Sequence, residues 1–297
     1  MNDADLVTSI TERLSLRFGP AVAGWCAAVP ALADELAGRW GLVRGEAYPD
    51  GASSVALRAR QRDGTPAVLK LSPDPPFLAG QAEALRLFAP GGRVPAVLAA
   101  DARAGAVLLE AVEPGTGADE LPDPPTAQEW GALIRALHCA AAPPGYPRDL
   151  RGRCDEFFAR IGRRLAEPPI AARLRPADLD RGARRYGALL ATAPAPVLLH
   201  GDLHPGNVLD GGPARGLVAI DPRACTGDPC FDAVDYVLDG AGRDGVGARC
   251  DALAAAAGLE PGRLHAWSRA IAPIIAISRI GAPGQEQAVT ELLALSS

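Results

Sequence analysis

The segment Leu198-Leu199-His200-Gly201-Asp202-Leu203-His204-Pro205-Gly206-Asn207-Val208-Leu209 is the feature that most restricts how this chain can fold. Apolar runs enclose a polar loop, and Gly201 and Pro205 prevent that loop from continuing as a helix. A further apolar run, Leu217-Val218-Ala219-Ile220, delivers Asp221. A strand, a tight loop and a second strand would gather Asp202, Asn207 and Asp221 around one cavity, presenting three oxygen-bearing side chains. Pro205 and Gly206 let the backbone turn so that Asp202 and Asn207 face the same side. His200 and His204 have the i, i+4 spacing of zinc ligands on a helix, but a loop does not present that face. They are expected to shape the loop through hydrogen bonds.

Composition singles out two positions. Of 30 basic residues only Lys70 is a lysine, and Asn2 and Asn207 are the only asparagines. Richness in Ala, Gly, Pro and Arg indicates a coding bias against Lys and Asn, so a survivor marks a place where Arg or Asp would not serve. Asn207 lies in the loop described above. Lys70 ends the apolar run Ala67-Val68-Leu69, where an ammonium acts as a compact point charge and a planar guanidinium does not.

Around these positions the hydrophobic period changes along the chain. Residues 6–18 and 25–40 carry helical spacing. Val55–Arg60, the turn Arg62-Asp63-Gly64-Thr65 and Ala67–Leu71 read as a hairpin. Phe77–Phe88 is predicted helical and is stopped by Pro90-Gly91-Gly92; two strands follow, at 94–100 and 106–110. The Pro-, Gly- and acid-rich stretch 113–125 is the best boundary, giving an N-terminal lobe over 1–112 and a mainly helical lobe over 113–297. That second lobe has helical spacing at 126–141, 153–165 and 176–193, strand signals over 197–220, and helices to the end.

Bulk properties exclude several classes. With 48% hydrophobic and 22% charged residues the chain reads as globular. A net charge of -5 gives no basic footprint for nucleic acid. Residues 1–16 are polar, with neither the basic nor the apolar region of a signal peptide. The apolar run at 270–277 is short and holds Pro273, so no membrane span is expected. The cysteines, 6 in all, show no CxxC spacing and suit reduced thiols in the cytoplasm.

The polar frame H-x-D-x-x-x-x-N has the spacing of a kinase catalytic loop. Phosphoryl transfer to a hydroxyl needs a carboxylate to orient that hydroxyl and accept its proton, a role that fits Asp202. It also needs hard oxygen ligands for magnesium, which Asn207 and Asp221 supply, and a cation on the nucleotide phosphates, which Lys70 supplies.

His200-Gly201-Asp202-Leu203-His204-Pro205-Gly206-Asn207, Ile220-Asp221-Pro222 and Gly227-Asp228-Pro229-Cys230-Phe231-Asp232 together resemble the aminoglycoside phosphotransferase family. The Ile-Asp-Pro variant, Trp25, Leu32 and Trp40 before the first strand, and Asp63-Gly64-Thr65-Pro66-Ala67-Val68-Leu69-Lys70 look most like its streptomycin 6-kinase and hydroxyurea-kinase branch. The resemblance implies a bilobal, protein-kinase-like α+β fold: a small antiparallel sheet with one key helix, then a mostly helical lobe. It implies ATP and Mg2+ as cofactors, with the base bound along Glu110-Ala111-Val112, and a small-molecule, cationic acceptor with streptomycin first; the alternatives are a kinase of an amino alcohol, sugar or hydroxyurea-like compound on the same scaffold, or a non-catalytic kinase-like binding protein. Asp202 would be the catalytic base, Asn207 and Asp221 the metal ligands, and Asp232 a brace for the loop alongside His200. Ser53 and Ser54 would sit in the phosphate-covering turn after Asp50-Gly51, a turn that lacks the G-x-G-x-x-G of protein kinases. Relatives pair the strand lysine with a glutamate. Gln81 falls in that slot and Glu83 lies two residues on: either Glu83 is the partner through a shift in register, the favoured reading, or Lys70 is held by Gln81 and the phosphates alone. Acids at Asp119, Glu120, Asp235 and Asp239 are candidates for recognising a cationic acceptor.

Overall fold

The computed structural model describes residues 2–49, 51–243 and 245–297. It opens with helices α1 (Asp3–Phe18) and α2 (Ala23–Trp40) and strands β1 (Leu42–Ala47), β2 (Val55–Gln61) and β3 (Pro66–Leu71). Helix α3 (Pro75–Phe88) and strands β4 (Val97–Asp101) and β5 (Ala106–Glu110) follow. Next come helices α4 (Ala127–His138), α5 (Leu150–Gly162), α6 (Pro168–Ala171) and α7 (Pro176–Ala191). Strands β6 (Val197–Leu199) and β7 (Val208–Asp210), the short helix α8 (Gly212–Arg215), and strands β8 (Leu217–Ala219) and β9 (Cys225–Gly227) form the strand island. Helices α9 (Val234–Asp239), α10 (Val246–Ala257), α11 (Pro261–Arg279) and α12 (Glu286–Ser296) complete the chain.

The chain divides into two compact units, Met1–Ala89 with Val94–Glu113, and Pro90–Arg93 with Pro114–Ser297. The boundary thus falls one residue beyond position 112, and residues 90–93 belong with the second unit. They do so because the Ala219 amide donates to the Arg93 carbonyl at 2.8 Å and Arg215 Nε to the Gly92 carbonyl at 3.0 Å.

In the first unit an antiparallel sheet runs in the order β1-β2-β3-β5-β4. The β2–β3 turn is closed by the Gln61 amide on the Thr65 carbonyl and by Asp63, whose Oδ1 accepts from the Thr65 amide, both at 2.9 Å. Strand β1, set off from α2 by Gly41, whose φ of +66° ends the helix, pairs with β2. On α1, Leu6, Ile10 and Leu14 recur every four residues and form one buried stripe. With Cys26, Val29, Ala33 and Leu36 of α2 they pack on Leu57 of β2 and Ala67, Leu69 and Leu71 of β3. Because strand side chains alternate faces, Lys70 lies on the side opposite this core. That is the side where α3 packs against β4 and β5.

In the second unit β6 pairs with β9 and β7 with β8, both antiparallel. The chain entering from Pro114 pairs with β7, its Ala118 amide on the Val208 carbonyl and its Gly115 amide on the Asp210 carbonyl. Helix α11 is the central support. The buried carboxylate of Asp228 accepts from Trp267 Nε1 of α11 at 2.6 Å and from the Cys230 amide at 3.0 Å, and it pairs with Arg263 Nε at 2.5 Å. Pro273 lies within α11 without ending it. None of the described helices is long and apolar enough to cross a membrane, and the six cysteines are unpaired.

Candidate active site

Two short strand pairs hold the loop between β6 and β7 at both ends. Their residues are apolar and buried (Leu198, Leu199, Val208, Val218 and Ala219), so burial fixes the ends while the intervening polar residues face outward. Gly201 has φ +77°, and a Cβ there would sit 2.4 Å from the Arg223 carbonyl, so only glycine fits. The Arg223 amide donates to the His200 carbonyl at 2.9 Å and locks the two segments together.

Asp232 braces this loop from below. It is buried, and its two carboxylate oxygens accept the amides of His200 at 2.8 Å and Gly201 at 2.9 Å. His138 Nε2 on α4 lies 3.0 Å from Oδ2. Burial pushes the Asp232 carboxyl up, but the His138 hydrogen bond and the nearby His200 and Gly201 outweigh it and hold the group below the usual carboxylate range. His200 is fully buried with Nε2 2.9 Å from the Ile220 carbonyl, and burial lowers its pKa. The carboxylate therefore acts on the backbone of the loop, and the histidine ties that loop to the chain after β8.

Asp202 is half-buried. Arg153 Nη2 of α5 contacts its Oδ1 at 2.8 Å and Arg223 Nε its Oδ2 at 3.5 Å. Burial favours its neutral form, yet Arg153, then His204 and Arg223, prevail and hold the carboxyl below its ordinary value. Asn207 Nδ2 donates to the Asp202 carbonyl at 2.9 Å, which fixes the amide and commits its nitrogen. The Ile220 amide donates to the Asn207 carbonyl at 2.9 Å, so Asp221, the next residue, is held beside Asn207. Asp221 is the one non-glycine residue described with positive φ, at +60°. A positive φ is uncommon outside glycine, and aspartate is among the few residues that tolerate it. The Asn207 Oδ1 and the Asp221 carboxylate form a pair of hard oxygen donors of the kind magnesium takes.

Asp235, on the first turn of α9, has no hydrogen-bond or ion-pair partner among the described residues. Burial pushes its carboxyl up to about 6, against the opposing pull of His204. Helix α9 packs on the Pro205–Asn207 turn. Asp119 lies near the same turn, its Oδ2 3.4 Å from where a Cβ on Gly206 would be. Asp239 instead pairs with Arg243 at 2.7 Å and Arg279 at 3.3 Å. Glu120 is exposed.

In the first unit Lys70 is buried and its Nζ donates to Gln81 Oε1 at 3.0 Å. This corrects the sequence expectation of Glu83 as partner. Two helical positions rotate a side chain by more than half a turn, so with Gln81 facing the sheet Glu83 is exposed on another face of α3. Glu83→Ala is therefore expected to leave nucleotide kcat/KM within about twofold, whereas Gln81→Ala lowers it about tenfold, the scale of one hydrogen bond to a buried charge. Steady-state kinetics on the two variants check this.

In the turn before β2, the Ser53 carbonyl accepts from Ser72 Oγ at 2.9 Å and Ser54 is buried. Asp50 lies outside the described residues. Glu110 turns its carboxylate to the Ala96 amide at 2.9 Å. Residues 111–113 make no backbone–backbone hydrogen bond among the described residues.

Arg153 and His138 carry no sequence signal for a role in the site. For Arg223 the one hint is its place two residues after Asp221. Arg153 and His138 stand 49 and 94 residues from their partners, with no spacing rule to link them.

An antiparallel sheet with a buried lysine, and a helical unit bearing this loop, define a phosphotransferase of the protein-kinase-like fold. Residues 39–279 match the family of aminoglycoside/hydroxyurea antibiotic resistance kinases, and the chain belongs to that family. It is 35% identical over 264 residues to streptomycin 6-kinase of Streptomyces glaucescens, covering 84% of this chain and 83% of that one. It is 34% identical over 263 residues to hydroxyurea phosphotransferase of Kitasatospora aureofaciens, covering 86% and 74%. Among solved structures it is similar to aminoglycoside phosphotransferase APH(4)-Ia in ternary complex with ADP and hygromycin B. The TM-score is 0.57 at 17% identity, with 89% of this chain and 95% of that chain covered, a likeness of fold. The α+β kinase-like fold and the phosphotransferase class expected from the sequence both hold.

Proposed function

We propose that this enzyme transfers the γ-phosphoryl group of ATP to a hydroxyl of an aminoglycoside-type antibiotic, streptomycin first, inactivating it in the cytoplasm. The observation that carries this reading is the loop itself. An ionised carboxylate at Asp202 stands next to two hard oxygen donors, Asn207 and Asp221, on a backbone braced by Asp232.

In this reading Asp202 accepts a hydrogen bond from the acceptor hydroxyl, orients its oxygen toward the γ-phosphorus, and takes its proton as the new bond to phosphorus forms and the bond from that phosphorus to the bridging oxygen of ADP breaks, releasing ADP. A carboxylate held below its ordinary pKa is a weak base. That suffices where the transition state is loose and positioning dominates. Asn207 and Asp221 would hold Mg2+, whose charge neutralises the nucleotide phosphates when bound. Lys70, held by Gln81, would meet those phosphates beneath the Ser53–Ser54 turn. The backbone at Glu110–Val112 would bind the nucleotide base. Asp235 and Asp119 beside the loop favour a cationic acceptor: an unpartnered carboxylate gains most from a guanidinium.

The near-equal similarity to hydroxyurea phosphotransferase supports a second reading, in which a small neutral acceptor replaces the antibiotic. ADP release with Mg-ATP, measured against streptomycin, other aminoglycosides, hydroxyurea and small alcohols, separates the two. Turnover of streptomycin is the expected result. Turnover of hydroxyurea alone would keep the kinase and replace the acceptor, and no turnover with any of them would overturn the proposal.

The metal assignment has its own test. Asp221→Ala is expected to weaken nucleotide binding in the presence of Mg2+ by about tenfold or more, while metal-free binding stays unchanged. Calorimetric titration with and without Mg2+ reads both. Unchanged Mg2+-dependent affinity would place the metal on other residues.

A further inference from the structure

Two guanidinium groups flank the Asp202 carboxylate, and they hold it differently. Arg153 is buried, and its fork is engaged at two points. Nε donates to the Gly201 carbonyl at 2.7 Å and Nη2 to Asp202 Oδ1 at 2.8 Å. One side chain therefore ties the loop backbone and the carboxylate into a single rigid unit, with the bidentate geometry that only arginine offers. Arg223 stands 3.5 Å from Oδ2, beyond the length of a charge-assisted hydrogen bond, and its Nη1 reaches the exposed Glu156 at 3.1 Å.

Fold stability does not account for Arg153. Its Nη1 is buried without a hydrogen-bond partner among the described residues. A buried ion pair that leaves a donor unsatisfied stabilises a fold no better than well-packed apolar side chains would. What the pair does supply is orientation. With Oδ1 committed to Arg153 and the loop backbone tied to the same side chain, rotation about the Asp202 side chain is restrained, and Oδ2, which Arg223 approaches only to 3.5 Å, is the oxygen left for a further hydrogen bond.

We infer that Arg153 is a positioning residue for phosphoryl transfer, holding Asp202 by Oδ1 so that Oδ2 is presented to the acceptor hydroxyl. This rests on the phosphotransferase reading above and deepens it: the effect of Arg153 passes through Asp202, so it vanishes when Asp202 can no longer act.

A double-mutant cycle tests this. Arg153→Met, of similar length and without charge, is measured alone and in an Asp202→Asn background. Kinetics use whichever acceptor the wild type phosphorylates, and thermal unfolding is followed alongside. The expected result is a fall in kcat of about tenfold or more, with acceptor KM and nucleotide Kd within about threefold, shrinking to less than about threefold in the Asp202→Asn background. Arg153→Lys, which keeps the charge and loses the fork, should recover part of kcat, and it carries the test if Arg153→Met does not fold. Equal losses in both backgrounds would reduce Arg153 to a structural role, and unchanged kcat in a folded variant would overturn the inference outright. A wild type that consumes no ATP with any acceptor would sink the functional reading instead. The tie is then read from unfolding in denaturant, where additive effects of the two substitutions would overturn it and coupling of about tenfold in the unfolding constant would uphold it.

Discussion

Asp202→Ala is expected to lower kcat by about two to four orders of magnitude, the range for losing a positioned proton acceptor, and to leave nucleotide affinity within about threefold. Asp202 is tied by both its side chain and its main chain into the loop: Arg153 holds Oδ1, and its carbonyl accepts from Asn207 Nδ2. The second contact uses the backbone, so the substitution leaves Asn207 in place and nucleotide binding should survive. Arg153 and Arg223, in contrast, lose the charge between them. Asp202→Asn is the milder control: it keeps shape, and its amide oxygen can still accept from Arg153, but it cannot take a proton. If both variants turned over at the wild-type rate, with ATP consumption followed continuously against the accepted substrate, Asp202 would have no part in the chemistry.

Asp232→Ala is expected to destabilise the second unit by about 3–5 kcal/mol, measured by denaturant unfolding, and to abolish turnover in whatever remains folded. The substitution orphans two buried amides, those of His200 and Gly201, and removes the acceptor for His138. Asp232→Asn should not rescue it. An amide has one acceptor oxygen where the carboxylate offers two, so its NH2 would face a backbone N–H donor to donor. The same group predicts an acid dependence. Its carboxyl is held below the ordinary range in the fold, so its stabilising contribution is complete above the unfolded carboxylate pKa. The contribution is lost as pH falls through the lower folded value. The wild type should therefore lose more stability than Asp232→Ala over that acid interval. Parallel loss in the two proteins would mean that Asp232 ionisation contributes nothing to the fold.

Much of the site is legible in the amino-acid sequence because its members lie close along the chain and obey local rules. Asp202 and Asn207 share one loop, and the strand after it ends at Asp221. The β7–β8 pairing converts that order into proximity. Alternation along β3 places Lys70 on its face of the sheet. The two rare residue types, Lys and Asn, mark positions that the fold puts to use.

The choice between Gln81 and Glu83 is not legible in this way. Both lie on α3, and only the rotation at which the helix docks on the sheet decides that Gln81 meets Lys70. The same holds for Pro273, which a local rule reads as an interruption and which tertiary packing accommodates within α11. Strand β9 has no signal because Cys225-Thr226-Gly227 shows no alternation of its own and becomes a strand by pairing with β6.

By itself, then, the sequence determined the reaction class and singled out the candidate residues for its chemistry, since these follow from short-range spacing and from residue types that cannot substitute for one another. Only the tertiary structure decided how those residues are held. Arg153 reaches Asp202 across 49 positions and His138 reaches Asp232 across 94, distances over which packing alone, and no period in the chain, brings side chains together.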